Sequence, residues 1–152
     1  MKSEAVIKSI MVDVHSKETR SFNMSKIRSK DTKPEMLVRK FLHSKGFRYK
    51  LHAKDLPGKP DIVLPKYKTV IFVHGCFWHG HAGCRYFVIP KTRTEWWTEK
   101  INKNTNNDIA ASKKLINLGW KVIDVWECEL KKSSVIATLS QLLTKIKDIT
   151  IK

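Results

Sequence analysis

Apolar residues first recur at helical spacing just after "TKPE", where Leu37, Val38, Phe41 and Leu42 fall on one face. Thr32 is placed to cap that helix, with Pro34 in its first turn, Glu35 at the capping-box position and Gly46 as its stop. The period then changes. "FRYKLHAKDLPGKPDIVLPKYKTVIFVHG" reads as strands: Pro57, Gly58 and Pro60 predict a turn, residues 61–64 a short strand, and residues 69–73 a continuous apolar run suited to a buried strand. These two strands are expected to pair as a hairpin turning at "PKYK". "TRTEWWTEKINKNTNNDIAASKKLINLG" predicts a helix capped by Thr92 or Thr94, stopped at Gly119 and broken near residues 104–107. "WKVIDVWECEL" predicts a strand with Cys128 at its far end, and "SSVIATLSQLLTKIKD" a closing amphipathic helix capped by Ser133 or Ser134. The order α, β, β, α, β, α predicts an α/β domain with a central mixed sheet flanked by helices.

Length and charge narrow the class. A chain of 152 residues suits one compact domain. Residues 1–12 are expected to form a disordered extension, with Met11 as a second candidate start, and residues 13–152 the domain. Lys and Arg number 30 against 14 Asp and Glu, a formal +16 that would repel itself unless a polyanion used it, so nucleic acid is the leading partner. "SKETRSFNMSKIRSKDT" concentrates that charge in a basic helical arm, read equally well as a solvated helix or a nucleic-acid contact. No apolar run is long enough for a membrane span, and "MKSEAVIKSIMVDVH" lacks the core of a signal peptide, so a cytoplasmic protein without a membrane partner is expected. The three cysteines, an odd number in a reducing compartment, favour metal or inert burial over disulfides.

"HGCFWHGHAGC" holds three histidines and two cysteines. Structural zinc takes four N or S ligands, commonly a close group in one loop plus a return from elsewhere in the chain. Cys76, His81 and Cys84 supply the loop part and Cys128 the return, which uses every cysteine and leaves His74 and His79 spare. The bland alternative, three buried apolar thiols, suits one isolated cysteine better than this grouping.

Phosphodiester hydrolysis asks for a divalent metal, a carboxylate to hold it and a base to activate water. Asp61 follows Pro60 at the start of a short strand, and the next strand runs into His74, which resembles half of the Pro-Asp hairpin of restriction-endonuclease-like nucleases. The expected second acid and lysine are missing: Val73 and Gly75 flank His74. Magnesium keeps several waters, so one carboxylate and a main-chain carbonyl can suffice, and a histidine can replace the lysine as proton acceptor or phosphate partner. Taken alone, Asp61 in "PGKPD" would read as a turn residue.

"DVHSKETRSFNMSKIRSKDT", "LPGKPDIV", "VIFVHGCFWHGH", "PKTRTEWWTEKINKN" and "LGWKVIDVWECEL", spread over residues 13–130, resemble the very short patch repair (Vsr) endonucleases of the restriction-endonuclease-like superfamily. The resemblance implies a three-layer α/β domain with a structural zinc site and a basic N-terminal arm. It implies an enzyme that nicks DNA 5′ to the thymine of T·G mismatches left by deamination of 5-methylcytosine. Carried over by motif, Asp61 and the main-chain carbonyl of Val73 hold catalytic Mg²⁺, His79 is the general base, His74 a phosphate-side partner, and Glu35 and Asp108 further active-site positions. Zn²⁺ is held by Cys76, His81, Cys84 and Cys128. Phe77, Trp78 and Trp97 form a wedge that tests a weak base step, opposed by Met24 and Ile27 of the arm, which leaves Trp96 for the core. The family commonly has Thr where Val73 stands, a change without effect if only the carbonyl binds metal, and the loop "GHAGC" is one residue longer. The partners implied are mismatched double-stranded DNA, mismatch-repair proteins and a cognate cytosine-5 methyltransferase, for a monomer acting on the bacterial nucleoid. Two other readings stand beside it: an inactive zinc-stabilised DNA-binding module, and a restriction-like nuclease with a different site preference.

Overall fold

The structure is a computed structural model that describes residues 31–148. The extension over residues 1–12 and most of the basic arm, with Met24 and Ile27, lie outside the described residues. Within them the order is α1 (Lys33–Ser44), β1 (Lys50–Leu51), β2 (Ile62–Leu64), β3 (Thr69–His74), α2 (Thr94–Asn117), β4 (Lys121–Trp126) and α3 (Val135–Lys147). The four strands form one sheet in the order β1-β2-β3-β4. The first two pairings are antiparallel and β3 runs parallel to β4, so the sheet is mixed as expected. The predicted hairpin is present, with Ile62 opposite Ile71 and Leu64 opposite Thr69. It turns through a short 3₁₀ segment, Pro65–Tyr67, closed by Lys68 in the left-handed region.

Alternation along the strands divides the apolar residues between two faces. Ile62, Leu64, Ile71, Ile123 and Val125 pack with Val38 and Leu42 of α1 and Leu142 and Ile146 of α3. Val63 and Val70 face the other way, onto Leu115 of α2. That is a helix–sheet–helix sandwich, in which α2 makes the long crossover that parallel pairing requires.

Helix ends follow the sequence in part. Thr32 Oγ1 accepts from the Glu35 N–H at 3.3 Å, Pro34 lies in the first turn, and Gly46 follows the end of α1 with φ +84°. Glu35 reaches past the cap and accepts from the Asp31 N–H at 3.0 Å instead.

Four expectations are corrected. Helix α2 runs unbroken through residues 104–107, because Asn104 and Thr105 spend their side chains on a neighbouring loop and do not compete for their own backbone. Its cap position is Arg93, in the left-handed region; Thr94 is already helical and donates back to the Pro90 and Lys91 carbonyls at 2.9 Å. Ser134 is the cap of α3 by position but makes no side-chain capping bond. Cys128 lies beyond β4, in the 3₁₀ turn Glu127–Leu130.

Candidate functional site

Residues 72, 74, 124 and 126 point to the face that packs on α2. His74 is buried at the end of β3, and its Nε2 lies 2.9 Å from Asp124 Oδ1 on β4. The chain then turns into the loop that holds His79, whose Nδ1 lies 2.6 Å from Asp108 Oδ2 on α2. The two imidazoles are 4.4 Å apart between ring centres. Two Asp–His pairs, drawn from β3, the edge strand β4, the loop and the crossover helix, thus line one cavity of about 340 Å³.

Besides the His79–Asp108 pair, three contacts hold the loop to α2. Asn104 Nδ2 donates to the Trp78 carbonyl at 2.9 Å, and Thr105 Oγ1 donates to the His79 carbonyl at 3.3 Å. Gly80 follows, with φ +60°, and a Cβ there would come within 2.8 Å of Ile101 Cγ2. Glycine is required there both by the backbone angle and by the closeness of the helix.

Asp61 sits just before β2, and its Oδ2 accepts the Val73 N–H at 2.8 Å. Burial pushes its carboxyl above the usual range, against the Val73 N–H and the nearby charges of His52, His74 and His79. Glu35, 1 % exposed, is raised as well, by burial and then by the charge of Asp61. Its Oε2 lies 3.1 Å from His52 Nε2 and 3.4 Å from Arg39. Arg39 also donates to Asp31 at 2.6 Å, and that bond holds Asp31 below its usual value. Asp61, Glu35, His74, His79 and Asp108 therefore fall in one region, with Glu35 approaching from α1 on the opposite layer.

The cysteines converge on the far side of the loop. One ligand atom from each of Cys76, His81, Cys84 and Cys128 lies within 4.8 Å of the others, a possible metal cluster. His81 Nδ1 is 3.4 Å from Cys128 Sγ, and its ring stacks on Trp126 at 4.0 Å. Burial pushes the Cys76 thiol up to about 12 and raises Cys128 too. Burial opposes ionisation of Cys84 as well, yet the Tyr86 N–H and the neighbouring thiols outweigh it and lower that thiol.

Phe77, Trp78 and Trp97 form a half-buried aromatic cluster, with ring centres 5.2 to 5.8 Å apart. Trp96 does not join the core: it is 44 % exposed under the Arg93 guanidinium. In α2 the neighbouring Trp97 takes the inward side, and Trp96 is left facing water.

Asp124, His52 and Arg39 were not singled out in the sequence. Asp124 carried a signal, being the one acid in the strand, between the apolar Ile123 and Val125. His52 and Arg39 carried none, since only folding brings them to Glu35.

A buried carboxylate beside two Asp–His pairs makes a candidate hydrolytic site, with acid–base groups at hand and a carboxylate suited to a hard cation. The profile described as DNA mismatch endonuclease Vsr matches residues 12–85. A type II nicking enzyme of Neisseria meningitidis is 54% identical over 139 residues, covering 91% of this chain and 99% of that one. One from Xanthomonas oryzae is 52% identical, covering 79% and 88% respectively. The DNA mismatch endonuclease Vsr of Escherichia coli is 47% identical over 121 residues, covering 80% of this chain and 77% of its own. The chain belongs to the Vsr family of DNA mismatch endonucleases. It is accordingly an enzyme, a DNA endonuclease.

Proposed function

We propose that this protein nicks double-stranded DNA on the 5′ side of the thymine in a T·G mismatch. The observation that supports the reading most is the placement of the His79–Asp108 pair and the Phe77–Trp78 aromatics on one loop, beside Asp61. A base and a mismatch probe that share a loop are positioned by the same event. Asp61 and the Val73 carbonyl would hold Mg²⁺; one Asp61 oxygen accepts the Val73 N–H, which fixes the carboxylate beside β3. When bound, the ion offsets the charge that builds on the phosphoryl group. His79 takes the proton of the attacking water, with Asp108 fixing the orientation of its ring. His74, steadied by Asp124, faces the phosphate. Glu35 adds negative charge behind Asp61 and, through His52, ties α1 to the site.

Cys76, His81, Cys84 and Cys128 hold a structural Zn²⁺, which suits four N and S donors gathered within one shell. Phe77, Trp78 and Trp97 enter the weakened base step, with Met24 and Ile27 opposite them. The protein acts as a monomer in the bacterial cytoplasm, on lesions at sites of a cytosine-5 methyltransferase.

The test uses end-labelled duplexes with a central T·G or C·G pair, Mg²⁺, and the wild type beside Asp61→Ala and His79→Ala. A nick 5′ to the mismatched T is expected, abolished in Asp61→Ala and slowed about 10²- to 10⁴-fold in His79→Ala. Equal cleavage of both duplexes would sink the mismatch reading. Tight T·G binding without cleavage would leave a binding module.

A further inference from the structure

The cavity against α2 has a donor set that magnesium would not choose. One ligand atom from each of His74, His79 and Asp108 lies within 4.8 Å of the other two. We propose that these residues form a third protein metal site, for a first-row transition ion such as Zn²⁺, Co²⁺ or Ni²⁺. It is separate from the cysteine cluster and from the Asp61 carboxylate.

Three observations carry this. Imidazole nitrogens are borderline donors that suit zinc, cobalt and nickel, whereas magnesium asks for oxygen. Two imidazoles and one carboxylate bind from the protein side, and the 340 Å³ cavity leaves the other positions to water or an incoming ligand. Metal-binding histidines are usually anchored by an outer carboxylate, and Asp124 anchors His74 in that way at 2.9 Å. Bonds to zinc are about 2.0–2.1 Å long, so the donors must draw together by side-chain rotation. Lys113 also reaches the cavity wall, but it is exposed and can turn its ammonium to water.

The other group of similar spread, Asp31, Glu35 and His52, makes a useful contrast. The Arg39 guanidinium already lies 2.6 Å from Asp31 and 3.4 Å from Glu35. A cation there would meet a fixed positive charge. Among the described residues, no lysine or arginine forms an ion pair with Asp108 or Asp124 at the cavity site.

A bound ion would occupy the imidazoles of His74 and His79 together. Nicking should then fall as transition metal rises at constant Mg²⁺; this consequence, unlike the binding itself, rests on His79 acting as the base.

The experiment loads the full chain with one zinc, removes the excess and titrates with Co²⁺. One further equivalent is expected, giving visible cobalt bands without the thiolate charge-transfer absorption that a cysteine site produces. Affinity should drop at least about tenfold in His79→Gln and in Asp108→Asn, and about tenfold in Asp124→Asn, the loss typical of an outer partner. His52→Gln and Asp61→Asn should bind cobalt as the wild type does. Retained zinc and an unchanged circular dichroism spectrum show that each variant is folded. Absence of a second equivalent overturns the proposal, as does thiolate absorption from it, or a loss confined to His52→Gln. Cobalt binding as described with nicking unaffected by zinc would uphold the site and remove His79 as base; a protein that nicks nothing would still be decided by the titration.

Discussion

Asp61 occupies a place that disfavours its charge, because burial outweighs the Val73 N–H bond and the neighbouring imidazoles. With a folded-state pKa above the unfolded value, near about 3.9, the folded chain holds this proton more tightly. The stability so gained is complete below the unfolded value and is lost as pH rises through the raised one. At neutral pH the ionised carboxylate is a net cost that the proposed metal-binding role requires. Asp61→Asn keeps an oxygen to accept from Val73 and removes the charge. It should therefore melt higher than the wild type at pH 7, by on the order of 1 kcal/mol, while nicking nothing. The advantage should shrink as pH is lowered toward 4, which thermal unfolding at both values would show. A variant less stable at pH 7, or equally advantaged at both, would mean that the carboxylate is not strained there.

At the scale of elements, the loop after β3 borrows its order from α2. Asn104→Ala removes the bond to the Trp78 carbonyl while improving helix propensity, so α2 should keep its helicity. Loop amides over residues 75–87 should exchange hydrogen faster, on a loss of about 1 kcal/mol, with α1 and α3 unchanged. Uniform acceleration across the chain would instead mark a global loss of stability. These polar residues also show where a linear reading of the sequence fails. Periodicity located α1, the β2–β3 hairpin and β4, since each buries a regular face that one stretch of chain reveals. Asn104 and Thr105 looked like helix breakers because their partners lie 26 residues away. Strand β1, two residues long, is too short to show any period. The cysteine cluster was legible as ligand types at close spacing, and Asp61 as a motif. The partnership of His74 with Asp124 was not, because it depends on the register of β3 against β4.

For the whole molecule, the +16 charge sets the terms of DNA binding. Affinity should fall steeply with salt, by about 10³ or more between 50 and 200 mM if six or more phosphates are neutralised. The ratio of affinities for mismatched and matched duplexes should hold nearly constant, because stacking and unpairing release few counterions. Salt titrations of both duplexes would test this, and a preference that vanishes with salt would make mismatch selection electrostatic. The parallel pairing of β3 with β4 sets a different order of events. His74 meets Asp124 only across a separation of 50 residues, and His79 meets Asp108 only once the crossover helix lies down. Contacts so distant along the chain are entropically late to close. During synthesis the growing chain carries His74 and His79 well before α2 and β4 exist to supply Asp108 and Asp124. The two Asp–His pairs of the proposed DNA-cutting centre thus stay unmade until most of the polypeptide has been synthesised, and a partial chain lacks the proposed base in its working arrangement.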